Sequence, residues 1–234
     1  MAHARHQPPG IFHLTSRGVD RRRIFDGDDT RLCFYRLLDR TLTKHGGRIH
    51  ACCLMTNHYH LVYETTEVGQ LSAALQYLNS TYARIYNGIC GRHGYLFERP
   101  FHSELVTTER HAIWLCRYVV NNPVRAGMAA RAGDYRWCSF LATAGLGPKP
   151  PFLTTSWTLD LFDEDEAKAR VKYASFVAEG AHLTQKDMSD GAVSALRTAD
   201  MARRDSGQQP PRSVSRATSR PRASNQKPKS IQLS

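Results

Sequence analysis

The stretch CLMTNHYHLVYET, residues 53–65, places two histidines on either side of a tyrosine in a run of strand-forming residues. Side chains alternate between the two faces of a β-strand, so His58 and His60 share one face and Tyr59 points to the other. Residues two apart lie about 6.6 Å from each other along a strand, and two imidazoles at that spacing can bind one divalent ion. A strand that merely carries two exposed histidines is the simpler interpretation, so a metal site requires further groups from elsewhere in the chain.

The chain around this stretch alternates between strand-like and helix-like periodicity. Strand-like alternation of apolar residues occurs in the segments 11–18, 48–56, 58–65 and 100–107. Helical spacing of apolar residues occurs in the segments 28–46, 68–91 and 108–123. This order predicts an α+β fold, a ferredoxin-like antiparallel sheet with helices on one face and the other face free. We expect His13 and Thr15 of the first strand to lie on the face of the histidine pair.

We expect the chain to consist of three parts. Residues 8–145 hold all of these segments and form the predicted domain. Residues 146–182 form a predicted helical extension, in which acids mark the start of a helix over 163–180. Residues 183–234 are polar and later rich in Arg, Ser, Pro and Gln, which predicts a basic, disordered tail.

The charge balance favours a polyanionic partner such as nucleic acid. The formal net charge is +11; residues 201–234 carry eight Lys or Arg and one acid, which is +7 and leaves +4 for residues 1–200. A tail that only improves solubility is the alternative. The six cysteines form no Cys-x-x-Cys pair, which predicts a reducing cytoplasm. The sequence has no apolar run of about 18 residues and no apolar leader, which predicts no membrane span and no export signal.

A second candidate group lies in WLCRYVVNNP, residues 114–123. Tyr118 follows Trp114 and Leu115 by four and three residues, so it lies at the edge of the apolar helix face, and Asn122 is one turn further on the same side. The phenol could reach over the sheet to a metal on the two histidines, and Asn122 could offer its amide oxygen as a third ligand. The simpler interpretation is a packing tyrosine, since the chain has ten tyrosines.

These segments together resemble one family. CLMTNHYHLV, residues 53–62, resembles the His-hydrophobic-His signature of single-strand DNA insertion-sequence transposases, part of the HUH endonuclease superfamily. RYVVNNPVRAGM, residues 117–128, resembles the tyrosine helix of the REP-associated tyrosine transposases. IFHLTSRGVDRRRIF, residues 11–25, is similar to the opening strand and loop of that branch, and GYLFERPFHSELV, residues 94–106, to the segment before its last strand.

The resemblance covers about residues 8–145, with two departures. Thr56 stands where relatives commonly have Pro, which is a turn difference without expected consequence. Arg99-Pro100 stands where relatives often have Gly-Arg or Arg-Arg, which puts a phosphate contact in doubt.

The resemblance implies a function and a role for each site residue. Tyr118 would attack a DNA phosphodiester and become linked to the 5′ phosphate, while Mg²⁺ or Mn²⁺ on His58, His60 and Asn122 neutralises charge in the transition state. The implied substrate is single-stranded or hairpin DNA, bound by a homodimer. The candidate DNA-binding residues are Arg17, Arg21, Arg22, Arg23, Arg99 and Arg125.

Two other functions stay open on the sequence. A domesticated protein could bind hairpin repeats without recombining them, although the intact histidines and tyrosine argue against lost chemistry. A nicking enzyme of the replication-initiator type shares the histidine motif, but the chain has no helicase-like region and only one well-placed tyrosine. Any of these functions places the protein in the cytoplasm, associated with the nucleoid.

Overall fold

Four strands form one antiparallel sheet in the order β2-β3-β1-β4. The structure is a computed structural model that describes residues 7–98 and 101–181. The strands are β1 (Gly10–Arg17), β2 (Arg48–Leu54), β3 (His58–Thr65) and β4 (His102–Leu105). The helices are α1 (Asp28–His45), α2 (Gln70–Cys90), α3 (Glu109–Val120), α4 (Asn122–Arg125), α5 (Phe140–Thr143), α6 (Ser156–Asp160) and α7 (Glu166–Glu179).

Helices α1 and α2 cover one face of the sheet. Helix α1 has Asp28 and Asp29 in its first turn, where carboxylates stabilise the helix dipole, and it ends at Gly46, whose φ of 73° suits glycine. The core between these helices and the sheet contains buried side chains at helical and strand spacing: Phe12, Leu14, Phe34, Leu37, Leu38, Leu61, Leu71, Leu75, Leu78 and Tyr82. Tyr59 points into this core as predicted, and its hydroxyl donates to Asn79 Oδ1 at 2.7 Å.

The second face of the sheet is not free, because α3 packs across part of it. Trp114, Leu115 and Val119 of α3 are buried against a cluster that includes Cys53 of β2 and Val62 of β3. These strand residues are apolar on the second face as well, so a free face would expose them to water. Helix α3 covers the apolar part of this face, and the part that carries His58 and His60 lies at the edge of the helix.

The extension packs against the domain through α3. Arg117 of α3 is buried, and its guanidinium lies 4.2 Å from the ring centroid of Phe176 on α7. Asn121, directly after α3, donates from Nδ2 to the carbonyl oxygen of Val177 at 2.9 Å. Tyr173 of α7 is buried in the same core cluster as α3. Helix α7 therefore packs against α3, the helix that carries Tyr118, within the same chain.

The structure confirms the predicted fold class, a four-stranded antiparallel sheet of the α+β type. The observed strands and helices differ from the predicted segments by a few residues at their ends, and α6 and α7 fall in the predicted extension. The predicted tail, residues 183–234, lies outside the described residues. Within the described part of the chain, no helix combines the length and apolarity that crossing a bilayer requires.

His50 gives a testable pH dependence of stability. Its ring is buried, lies 4.6 Å from the Trp157 ring of α6 and bonds to Glu64 Oε2 at 2.9 Å. Burial lowers the pKa of His50, and the nearby Glu64 only partly offsets this. Below about pH 6.5 the unfolded chain therefore binds a proton that the folded chain does not, so acidification lowers the free energy of unfolding.

Replacing His50 with Gln should flatten this pH dependence, by at most about 1.4 kcal/mol per pH unit for one titrating group. Urea unfolding of both proteins between pH 7 and pH 5 measures it. An unchanged slope of unfolding free energy against pH in the variant would contradict the assignment.

Candidate active site

Adjacent strands bring a set of polar side chains to the second face of the sheet. In the antiparallel register Thr15 lies opposite His60 on one side and opposite His102 on the other. Directly opposed residues share a face, and so do residues two apart in one strand. His13 and His58 therefore lie on the same face, as the sequence predicted for the first strand.

His60 is buried at the centre of this face. Its Nδ1 lies 3.0 Å from His13 Nε2 and 3.1 Å from Thr15 Oγ1. Its Nε2 is also buried and has no hydrogen-bond partner among the described residues. Burial, and then the nearby His13 and His58, holds the pKa of His60 well below its ordinary value, so the imidazole is neutral at pH 7.

His58 is oriented by its neighbour Asn57. The Asn57 amide donates from Nδ2 to the carbonyl oxygen of Arg21 at 3.1 Å, so its Oδ1 faces His58 Nδ1 at 2.7 Å. Because a carbonyl oxygen only accepts, His58 Nδ1 carries the hydrogen and Nε2 keeps a free lone pair. Burial, assisted by the charge of Arg17, lowers the pKa of His58 to about 4, so this ring is neutral too.

Tyr118 lies beside the histidines in the same chain. Its ring centroid is 5.8 Å from that of His60 and 5.6 Å from that of His13, with near-perpendicular planes in both cases. On its other side the ring stacks on Trp114, one turn earlier in α3, at 4.5 Å. Helix α3 begins with a Thr108 cap that accepts from His111 N, which fixes the helix end nearest β4. The phenol is thus held where α3 borders the sheet face that carries His58 and His60, which we call the histidine face.

Asn122 and Arg125 are bonded to each other and to the tyrosine turn. Asn122 Nδ2 donates to the carbonyl oxygens of Tyr118 and Val119 at 3.0 and 3.2 Å. Its Oδ1 accepts from Arg125 Nη2 at 2.7 Å. The Arg125 guanidinium lies 4.0 Å from the Tyr118 ring centroid. In this arrangement the amide oxygen of Asn122 is occupied by the arginine rather than directed freely at the histidines.

The histidine pair fits a divalent ion. The ring centroids of His58 and His60 are 4.9 Å apart, and both rings are neutral. Among the described residues His60 Nε2 is buried without a hydrogen-bond partner, while the hydrogen bond of His58 to Asn57 uses Nδ1 and leaves Nε2 with a lone pair. Neutral imidazole is the form that binds metals, and the partner of the other ring nitrogen sets its orientation. Over residues 7–98 and 101–181, no three or more His, Cys, Asp or Glu side chains are grouped so as to hold a metal ion. The two histidines by themselves could offer two nitrogen ligands.

The structure brings only some of the predicted arginines to the site. Arg17 lies opposite His58 at the end of β1, and Arg125 lies over Tyr118. Arg21, Arg22 and Arg23 are exposed in the turn after β1, where Arg22 pairs with Asp20 and Arg23 pairs with Asp26. Arg99 lies outside the described residues.

Sequence reasoning missed three local contacts in the site. It left Asn57 between the two predicted strand segments without a role, whereas its amide orients His58. It treated Arg125 as a phosphate contact, whereas its guanidinium also bonds Asn122. It treated Trp114 as a core residue, whereas its ring also backs Tyr118. The only sequence signal for these contacts was that each residue is adjacent to a site residue or within four positions of one.

Comparison with known proteins agrees with this fold. Residues 10–122 match the family model described as "Transposase IS200 like". No curated protein sequence matches the chain. A solved structure of a REP-associated tyrosine transposase bound to a REP hairpin is similar in fold, with a TM-score of 0.51 and 15% sequence identity over 64% of this chain and 89% of that chain. The matched region includes the four described strands, the histidine pair and Tyr118. Over residues 10–122 this chain is therefore similar to the IS200-like transposase family.

Proposed function

We propose that the chain cleaves and rejoins single-stranded DNA through a 5′-phosphotyrosine at Tyr118. The observation that carries the proposal is the 5.8 Å between the ring centroids of Tyr118 and His60 within one chain. A nucleophile and a pair of metal-binding imidazoles at one place is the arrangement that phosphoryl transfer to a side chain requires.

The chemistry is a transesterification that needs no nucleotide cofactor. The Tyr118 hydroxyl loses its proton and its oxygen forms a bond to phosphorus, while the bond from phosphorus to the 3′ oxygen breaks and that oxygen takes up a proton. The 5′ phosphate is then esterified to the protein. Because a phosphodiester is replaced by a phosphodiester, attack by a second 3′ hydroxyl reverses the step and rejoins strands.

The residues around Tyr118 orient the phenol and the phosphate. Trp114 and the border of the histidine face fix the ring, Arg125 supplies positive charge beside it, and Arg17 supplies positive charge near His58. A Mg²⁺ or Mn²⁺ ion bound by His58 and His60 would polarise the phosphate oxygens and neutralise charge that develops on them. We propose Asn122 as a third ligand. This requires the Arg125 guanidinium to leave the amide oxygen of Asn122, for example by binding a DNA phosphate instead.

Hairpin DNA is the proposed substrate, and the proposed site is complete in one chain. The similar transposase of known structure is bound to a REP hairpin, which supports the same class of ligand here. The exposed Arg21, Arg22 and Arg23 are proposed to contact phosphates. The homodimer that the family resemblance implies stays a prediction, and we propose that each tyrosine acts with the histidines of its own chain.

The test is cleavage of single-stranded oligonucleotides that carry hairpins, with Mg²⁺ or Mn²⁺. We expect a protein–DNA adduct that survives denaturation, a free 3′ hydroxyl on the released strand, and no reaction in EDTA. A protein that shifts hairpin DNA in a gel but forms no adduct with either metal would contradict the proposal. That result would support the binding-only alternative instead.

Arg125 should contribute to the rate of cleavage more than to DNA affinity. Its guanidinium is half-buried beside Tyr118, where a charge acts strongly on the transition state. We expect Arg125→Gln to slow single-turnover cleavage by about 10²- to 10³-fold, with hairpin affinity changed only a few-fold.

Arg22→Gln is the matched control for this change. The Arg22 side chain is 60% exposed and lies in the turn after β1, so its loss should weaken DNA binding and reduce the salt dependence without changing the cleavage rate of bound DNA. Equal effects of the two substitutions on the rate would remove the special role of Arg125.

A further inference from the structure

The geometry points to His13 as a positioning residue that sets the tautomer and orientation of the metal ligand His60. We infer that the Nδ1 hydrogen of His60 is donated to His13 Nε2, so that the Nε2 lone pair of His60 faces the ion. This inference rests on the proposed metal-binding role of His60, and it assigns to a residue of β1 a function that the histidine pair alone does not explain.

The two rings meet edge to edge rather than face to face. Their planes differ by 13° and their centroids are 5.2 Å apart, while His13 Nε2 and His60 Nδ1 are 3.0 Å apart. With the nitrogens 3.0 Å apart, the centroids can be as far apart as 5.2 Å only if both nitrogens lie almost on the line that joins the two ring centroids. The hydrogen bond therefore lies near the plane of both imidazoles, which is the direction of an N–H bond and of a ring lone pair.

The proposed ion at the buried Nε2 of His60 decides the direction of this bond. If His13 donated, His60 would carry its hydrogen on Nε2, a buried atom without a hydrogen-bond partner among the described residues. An unsatisfied buried N–H group costs about 1–3 kcal/mol. If His60 donates from Nδ1, its Nε2 has a lone pair instead, and a metal ion satisfies that lone pair. Only this second arrangement is compatible with the proposed site.

Thr15 is the competing partner for the same nitrogen. Its Oγ1 lies 3.1 Å from His60 Nδ1, and a hydroxyl can either accept or donate. His13 is a fixed ring that is 6% exposed, whereas a threonine hydroxyl turns freely about its own bond. His13 therefore holds the His60 ring against rotation. The pair of His60 and His13 resembles the pair of His58 and Asn57, in which the Nδ1 of a proposed metal ligand is also bonded to a protein acceptor.

The first experiment is Mn²⁺ binding to the DNA-free protein, measured by the electron paramagnetic resonance signal of free Mn²⁺. His13→Phe keeps a flat ring but removes the acceptor, so we expect the Kd for Mn²⁺ to rise about 10- to 100-fold. His13→Gln restores an acceptor, and Thr15→Val removes only the hydroxyl, so both should stay within about 3-fold of wild type if the acceptor at position 13 is what matters. Circular dichroism in EDTA verifies that each variant is folded.

The outcomes separate this inference from the proposed function. If His13→Phe binds Mn²⁺ as tightly as wild type, or if Thr15→Val alone gives the loss, the role of His13 is wrong while the metal site stands. If wild type does not bind Mn²⁺, or if His60→Ala binds it equally well, the proposed metal site fails and this inference fails with it.

A second readout needs no variant. Long-range ¹H–¹⁵N correlation spectra of the metal-free protein at pH 7 report which nitrogen of a neutral imidazole carries hydrogen. We expect His60 in the Nδ1–H form. An Nε2–H form would overturn the inference even if His13→Phe does not fold.

Discussion

Tyr118→Phe should form no covalent adduct with hairpin DNA and should cleave at least about 10⁴-fold more slowly than wild type, because the substitution removes the hydroxyl that we propose attacks phosphorus. The ring contacts with Trp114, His13 and His60 involve the aromatic system rather than the hydroxyl, so the variant keeps its packing. Denaturing gels of labelled DNA measure the adduct, and gel shifts should give unchanged hairpin affinity.

Tyr95→Phe is the matched control, because this tyrosine is 74% exposed and remote in sequence from α3. Its cleavage rate should equal that of wild type.

Mixing Tyr118→Phe with His60→Ala chains tests whether the site is complete in one chain. We expect no recovery of cleavage, since each chain holds its tyrosine beside its own histidines. Recovery in the mixture would contradict action within one chain, and adduct formation by Tyr118→Phe alone would contradict the nucleophile.

His60→Ala should lose both Mn²⁺ binding and cleavage, the latter by about 10³-fold or more. The reason is that His60 Nε2 is a buried nitrogen with no hydrogen-bond partner in the described part of the chain, beside the phenol ring, and its removal leaves His58 as the remaining imidazole of the pair. The expected pattern is a cleavage rate that does not recover at high Mn²⁺ concentration, together with unchanged gel shifts of hairpin DNA.

His102→Ala provides the control for this prediction. His102 lies on the same sheet face, opposite Thr15 in β4, but it is exposed and on the far side of β1 from the pair. Its removal should leave Mn²⁺ affinity and cleavage within about 3-fold of wild type, as expected for a surface substitution. A loss equal to that of His60→Ala would mean that the ion binds elsewhere on this face.

Local periodicity was sufficient to predict the strands and helices and to place His58 and His60 on one face. It also placed Tyr118 near the sheet, because the position of a side chain on a helix face depends only on residues within one turn. Family resemblance added the roles of these residues. The family match now supports the transposase assignment, while the role of each residue stays a proposal.

Contacts between distant segments could not be predicted in this way. His13 and His60 are separated by 47 positions, and their contact depends on β1 pairing with β3 in one register. The same limitation explains why the second face was expected to be free: nothing in the periodicity of α3 says which face of the sheet it covers. The occupation of the Asn122 oxygen by Arg125 depends on side-chain geometry at the end of α3, which spacing does not determine.

The most direct test of the central claim is to locate the covalent link. Wild-type protein is reacted with a hairpin oligonucleotide and Mn²⁺, digested with protease and nuclease, and analysed by tandem mass spectrometry. We predict that the peptide containing Tyr118 carries a 5′-linked nucleotide on its phenol oxygen, in an amount that accounts for the cleaved DNA. A nucleotide on another residue, or cleavage without any modified peptide, would contradict the claim that this phenol and the histidine pair form one site.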